Sequence, residues 1–344
     1  MKVSRGVRIA AVSLSLGAAL AGHSLIGAAA SPACDRACLE GVAEKYLAAM
    51  LAHDPSKAPI AKGTRYTENA VTLPLPDGLW RNVDSVGKYR LYVSDPQQGQ
   101  IGFFAKATEN GAQVLVATRL KVVNGQITEI ESYAPRLTDT ISGGPSSVKR
   151  VDKLGDAPRT QFVTALPPGK RLPREKLASI ANSYWAGLEN NRGEKVPPFA
   201  DDCVRLENGS QTSSVELAPG AKRTTINMKC AESFALGYYR EDTRMRSRRM
   251  LVIDEERGLV YAGCFFDHDA TVRQYQVKDG TTRTVTNTGP WTWGTHEIFQ
   301  INAEGKIGQV EAVLLSVPYG QLPGWDNGIH FPSEQAKKDG FKEF

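Results

Sequence analysis

Past its first thirty residues this sequence has no apolar run long enough to cross a bilayer, no excess of one charge, and little histidine or cysteine. Each shortage excludes something. Of 42 basic residues, Lys2, Arg5 and Arg8 stand in those first thirty, which leaves 39 basic against 37 acidic and a net charge of +2. A near-neutral chain of mixed sign offers no electrostatic case for nucleic acid or for an anionic membrane as partner. There is no Gly-rich phosphate loop, no nucleophile elbow and no His-Glu-x-x-His run. The five cysteines do not supply four ligands at zinc-like spacing. No metal, no cofactor and no stable membrane insertion are therefore expected.

What is present begins with a leader. Lys2, Arg5 and Arg8 precede an apolar run from Ile9 to Ala21, and Ala28-Ala29-Ala30 stand before Ser31. That is the charge, core and small-residue order of a secretory signal peptide. The run is broken by Ser13, Ser15 and Gly17 and is short for a membrane anchor. Residues 1–30 are expected to be removed, leaving a soluble periplasmic or secreted chain that begins near Ser31. Export permits disulfides. Cys34 and Cys38 bracket the start of a helix, where a local bridge fits; Cys203 with Cys230 is a second candidate, and Cys264 sits in an apolar stretch as a free core thiol.

The remaining length of roughly 314 residues suits two domains, and the two halves repeat. Leu39, Val42, Ala43, Tyr46, Leu47 and Met50 form one face of an amphipathic helix, and Leu177, Ile180, Ala181, Tyr184, Trp185 and Leu188 repeat the intervals 138 positions on. Pro59 matches Pro197, Glu68-Asn69 matches Glu207-Asn208, and Gly87-Lys88-Tyr89-Arg90 matches Gly237-Tyr238-Tyr239-Arg240. Gly125-x-Ile127-x-x-Ile130-Glu131 matches Gly305-x-Ile307-x-x-Val310-Glu311. The offset grows from 138 to 180, as loop insertions in the second copy require.

Each copy reads as a long helix, a hairpin, a short helix and a run of long antiparallel strands. In the first copy these are Gln100–Thr108, Gln113–Val123 and Gln126–Tyr133, with turns at Asn110-Gly111 and Asn124-Gly125. In the second they are Arg249–Asp254, Leu259–Asp267, His296–Asn302 and Lys306–Val317, interrupted by an irregular segment from Asp269 to Thr295. The class is α+β. The expected organisation is a leader (1–30), a first domain (31–136), a linker (137–174), a second domain (175–320) and a C-terminal tail (321–344).

This order of elements and the repeated G-x-I-x-x-I/V-E closing strand resemble the nuclear transport factor 2-like superfamily, which includes SnoaL-like polyketide cyclases, ketosteroid isomerase and scytalone dehydratase. Cys34-Asp35-Arg36-Ala37-Cys38-Leu39-Glu40 and Asp77-Gly78-Leu79-Trp80-Arg81 are similar to a group of exported bacterial proteins of unassigned function. The resemblance implies two cone-shaped domains, each a long helix packed in a curved antiparallel sheet with an apolar pocket at the wide end, paired as an intramolecular pseudo-dimer. It implies cofactor-free proton-transfer chemistry in some members and plain binding in others.

The first copy has only His53, away from its strands, so chemistry is expected in the second. Asp267 and His268 end one strand and His296 begins another; a histidine beside a carboxylate serves as base and then acid near neutral pH. Strand alternation, however, sends Phe266 and His268 to one face and Asp267 to the other. Two histidines and an aspartate also fit a facial metal triad, at unspecific spacing. Tyr239 is the candidate proton donor and Arg240 the anion holder, with a structural role as the competing reading. Phe266, Trp291, Trp293 and Tyr184 are candidate lining for a small apolar or aromatic molecule, the two tryptophans on a lid-like insertion. The cluster Arg240, Arg244, Arg246, Arg248 and Arg249 reads as a solvated face. The expected function is a cofactor-free lyase, isomerase or cyclase, with a non-catalytic binding or scaffold protein as the alternative.

Overall fold

The computed structural model describes Met1 and residues 34–136, 151–220 and 223–343. The expected leader lies outside the described residues except for Met1, and so does the 137–150 part of the expected linker. The described chain is mixed α and β, with curved sheets. Helix α1 (Arg36–Leu51) starts where the Asp35 carboxylate accepts the Cys38 N–H at 2.9 Å, and it buries the face read from its periodicity. Next come β1 (Ile60–Glu68), β2 (Val71–Thr72), the short α2 (Leu79–Asn82), β3 (Val83–Asp95), β4 (Gln100–Glu109), β5 (Ala112–Val123) and β6 (Gln126–Tyr133). Asn110-Gly111 and Asn124-Gly125 all take positive φ, as tight hairpins need. These strands form one sheet in the order β2-β1-β6-β5-β4-β3.

Helix α3 (Thr160–Val163) precedes α4 (Arg174–Leu188), β7 (Phe199–Glu207), β8 (Ser210–Gln211), α5 (Cys230–Leu236), β9 (Arg244–Asp254) and β10 (Leu259–His268). A small hairpin of β11 (Gln274–Gln276) and β12 (Thr282–Thr284) follows, then β13 (Trp291–Ile301), β14 (Ile307–Val317), β15 (Ile329–Phe331) and α6 (Glu334–Lys338). The second sheet runs β8-β7-β14-β13-β10-β9-β15. Up to its last strand this is the order of the first. In both, the strand after the long helix runs parallel to the closing strand, with Tyr66 opposite Ile130 and Arg205 opposite Val310.

Three apolar layers result. One lies between α1 and the first sheet, one between α4 and the second. The third joins the two sheets back to back, with Tyr89, Leu91, Phe104 and Leu115 against Val252, Tyr261, Ile298 and Val313. Its edges are clamped reciprocally. Arg36, first residue of α1, holds Asp254 at the end of β9 at 2.7 and 2.8 Å; Arg174, first residue of α4, holds Asp95 at the end of β3 at 2.6 Å. Arg36→Ala leaves a buried carboxylate, and allowing for the guanidinium's partial exposure it should cost about 2 kcal/mol. A double-mutant cycle with Asp254→Ala should show a coupling near 1 kcal/mol in denaturant unfolding; additive effects would deny the clamp.

Several expectations need correction. Residues 151–174 are not a free linker: Val151, Leu154 and Phe162 are buried in the inter-sheet layer. Residues 321–343 of the expected C-terminal tail pack on the second sheet. Strand β15 pairs with β9, and Glu343 accepts the Ser247 and Ser333 amides. Trp291 and Trp293 stand on β13, not on an insertion. Tyr89-Arg90 lie on β3, whereas Tyr239-Arg240 lie in the turn before β9, so the two pairs are not equivalent. The arginine cluster of β9 is not solvated. Arg246 and Arg244 pair with Asp267, Arg248 with Glu189 and Arg249 with Glu131, all four guanidinium groups buried. Both disulfides, Cys34–Cys38 and Cys203–Cys230, are formed, and Cys264 is free and buried.

Candidate functional site

The face of the second sheet that meets α4 carries a continuous polar and aromatic surface. Register fixes its members. Along β10 it presents Cys264, Phe266 and His268; along β13, Trp291, Trp293, Thr295 and Glu297; along β7, Arg205 and Glu207. Helix α4 adds Tyr184 and Trp185, and Tyr239 reaches in from the turn after α5.

At the rim, His268 Nε2 lies 2.7 Å from an Asp242 carboxylate oxygen, and both residues are buried. The imidazole stacks on Trp291 with centroids 3.4 Å apart and planes 8° off parallel, and Trp293 meets it edge-on at 5.2 Å. Among the described residues His268 Nδ1 has no hydrogen-bond partner, and neither has the Trp293 indole N–H. Asp242 is itself placed by the end of α4, because its carbonyl accepts the Asn190 N–H at 2.9 Å. A cavity of about 210 Å³ opens beside that helix end, lined by Glu189, Asn190 and Asn191 among others, but His268 is not in its wall.

Deeper on the same face, Glu297 accepts the Trp185 indole N–H at 2.9 Å. Burial, reinforced by the charge of Glu207, pushes its carboxyl up to about 8. A buried acid that stays protonated in the fold but ionises when unfolded near 4.5 stabilises fully below that value. Its contribution then falls away as pH rises towards 8. Glu297→Gln keeps the acceptor for Trp185 without the ionisation. It should raise stability by roughly 3 kcal/mol at pH 9 and change little at pH 4. Equal effects at both pH values in chemical denaturation would contradict that environment.

The residues singled out from sequence are thus dispersed. His268, Phe266, Trp291 and Trp293 come together, with Tyr184 deeper on the same face. Asp267 does not join them. It faces the other way, bidentate to Arg246 at 2.6 and 2.9 Å and accepting from Thr292 at 2.8 Å. His296 is also on the other face, buried between the sheets, with Nδ1 2.7 Å from the Tyr261 hydroxyl and Nε2 3.4 Å from Glu131. Its position corrects its assignment as base, and it ends any triad with Asp267 and His268. Tyr239 donates to Ser233 at 2.9 Å, and Arg240 lies over the Tyr275 ring, so Arg240 is remote from the dyad's contacts. The carboxylate that sequence reasoning missed is Asp242. An unbroken β9–β10 hairpin counted outward from Asp254 opposite Leu259 would set Arg246 against Asp267; register shifts bring Arg244 there instead, so the approach of Asp242 to His268 does not follow from that count.

The first half offers no such surface. Glu68, equivalent to Glu207 by register, accepts from Tyr66 at 2.6 Å and from the Leu79 amide at 2.8 Å, and it pairs with Arg136 at 2.7 Å. Trp80 donates to Tyr46 at 3.1 Å. Glu68 and Trp80 are thus matched to neighbours there, whereas the Glu207 carboxylate has no bond or ion pair among the described residues.

The chain belongs to the family described as Domain of unknown function (DUF8021), whose model matches residues 33–134 and 170–314. No curated protein matches it. Among solved structures, a de novo designed protein with curved β-sheet is 17% identical, with 29% of this chain and 87% of the other covered, at a TM-score of 0.24. A "putative ketosteroid isomerase" from Kribbella flavida DSM 17836 is 16% identical, with 32% and 84% covered, also at 0.24. Likeness at that level says nothing about chemistry.

Proposed function

We propose that this is an exported protein made of two nuclear transport factor 2-like halves by tandem duplication, and that its second half is a cofactor-free acid–base enzyme for a small apolar or aromatic molecule. The shared strand order and the reciprocal Arg36 and Arg174 clamps support the duplication. The two disulfides fit an oxidising compartment. One observation carries the chemistry: a buried histidine held by a buried carboxylate through one ring nitrogen, with the other nitrogen unengaged. In the proposed cycle Asp242 accepts the Nε2 proton of His268 and so fixes the tautomer. The Nδ1 lone pair takes a proton from carbon next to a substrate carbonyl and returns it to another carbon, so no oxidant or leaving group is needed. The Trp293 N–H is the donor available to the enolate oxygen. Phe266 and the tryptophan rings receive the apolar body.

The test is deuterium uptake from D2O into a panel of small cyclic and aromatic ketones, followed by NMR. Wild-type protein should catalyse uptake into at least one member, and His268→Asn should slow it at least ~100-fold. Uptake that is equal in the two proteins, or absent throughout, would leave a binding protein instead.

A further inference from the structure

Arg205 sits at the base of this same face. It is 3% exposed, yet among the described residues it makes no ion pair with any carboxylate. Its guanidinium donates to two neutral oxygens, the Tyr184 hydroxyl and the Thr212 carbonyl, both at 3.3 Å, and its Nε–H meets no acceptor among the described residues. The Tyr239 ring lies under it, 5.3 Å from the centroid. Glu207, two positions along the strand, is the nearest acid on its own strand and makes no bond to it. The neighbouring Glu297 is largely neutral below its raised pKa of about 8 and so supplies no counter-charge there. Glu207 acts on it only through space, and a buried cation with no carboxylate at bonding distance is costly in a finished core. In the first half the equivalent position is Tyr66, whose hydroxyl is satisfied by Glu68 at 2.6 Å. The second half has therefore placed a charge where the first has an uncharged tyrosine whose hydroxyl is bonded.

We infer that Arg205 is the anchor for the carboxylate of a small aromatic or apolar acid, bound on the α4 side of the second sheet. The Nε–H and a spare N–H of an adjacent terminal nitrogen make the planar fork that a carboxylate takes in two parallel bonds. The aromatic surround of Tyr184 and Tyr239 suits a flat apolar body. The inference deepens the proposed function by naming a substrate class and rests on its choice of face, but not on His268 acting as a base.

The experiment is thermal unfolding of the full mature chain with benzoate, phenylacetate and cinnamate, each against its primary amide, in wild type, Arg205→Met, Arg205→Lys and His268→Asn. A rise in Tm that grows with carboxylate concentration, is absent for the amides and is retained in His268→Asn is expected. Arg205→Met should lose that rise while melting no lower than wild type without ligand, since a buried charge with no bonded counter-ion has gone. Should Arg205→Met fail to fold, Arg205→Lys decides: its carboxylate affinity should fall about tenfold, because an ammonium cannot make the fork. No carboxylate-specific rise for any acid overturns the proposal, as does a rise that survives undiminished in the Arg205 variants. Carboxylate binding without ketone exchange would sink the enzyme reading alone; ketone exchange with no carboxylate-specific rise in Tm would sink this one alone.

Discussion

Glu131→Ala is expected to lower unfolding stability by about 3–5 kcal/mol, the range for breaking a buried ion pair from one side. The carboxylate is buried between the sheets. It receives Arg249 at 2.6 Å and Arg119 at 3.1 Å, and His296 approaches to 3.4 Å. Removing it strands two guanidinium groups from opposite halves. Arg119 keeps Glu129 and Arg249 keeps Asn327, which sets the lower end of the range. Burial alone would raise the Glu131 carboxyl, but Arg249, the bond with His296 and Arg119 outweigh it and hold it well below the usual range. Its contribution is present above the unfolded value near 4.5 and is lost as pH falls below it. Burial lowers His296, outweighing Glu131's pull, so the unfolded ring takes a proton that the folded one refuses. Stability on that account falls as pH drops through about 6.5. His296→Gln should flatten the loss between pH 7 and 5, roughly, and leave the deeper acid loss in place. Denaturant midpoints across pH that do not separate in this way would contradict the network.

Asp242→Asn is the second large effect, and it falls on rate. An amide oxygen accepts the Nε2 proton less well than a carboxylate, and the amide N–H2 favours the opposite tautomer, with the proton on Nδ1. A histidine base whose orienting aspartate is replaced in this way loses as much as ~10⁴ in turnover in the best-known triad. For a carbon acid a loss of ~10³ in ketone exchange is expected, with stability nearly unchanged because Asn is isosteric. Comparable rates for Asp242→Asn and wild type would leave Asp242 a structural residue.

Much of the fold was legible because periodicity is a short-range signal. The buried face of α1 and the buried face of α4 follow from their intervals, and the first-half strands end at turns that need Asn and Gly in positive φ. The face assignment of β10 also holds, with Phe266 and His268 on one side and Asp267 on the other. What failed depended on contacts between distant segments. Ser247, a non-glycine residue with φ 53°, interrupts the β9–β10 register, so Arg249 rather than Arg248 faces the inter-sheet layer. Neither this bulge nor the carboxylates that neutralise the arginines can be read from their own neighbourhood. Tyr89 and Tyr239 matched by spelling alone; register moves them apart. His296 looked like a partner for His268 because both flank one insertion, yet strands that pair directly place five residues and a face change between them. Glu297 and Arg205 drew no attention in the sequence, since a single charge in an apolar strand looks ordinary until its partners are counted.

The most direct measurement is the tautomer of His268, from long-range 1H–15N NMR correlation of the imidazole in the neutral protein. A proton on Nε2 and a bare Nδ1, reversed in Asp242→Asn, is the predicted result. A proton on Nδ1 in the wild type would remove the base from the proposed site.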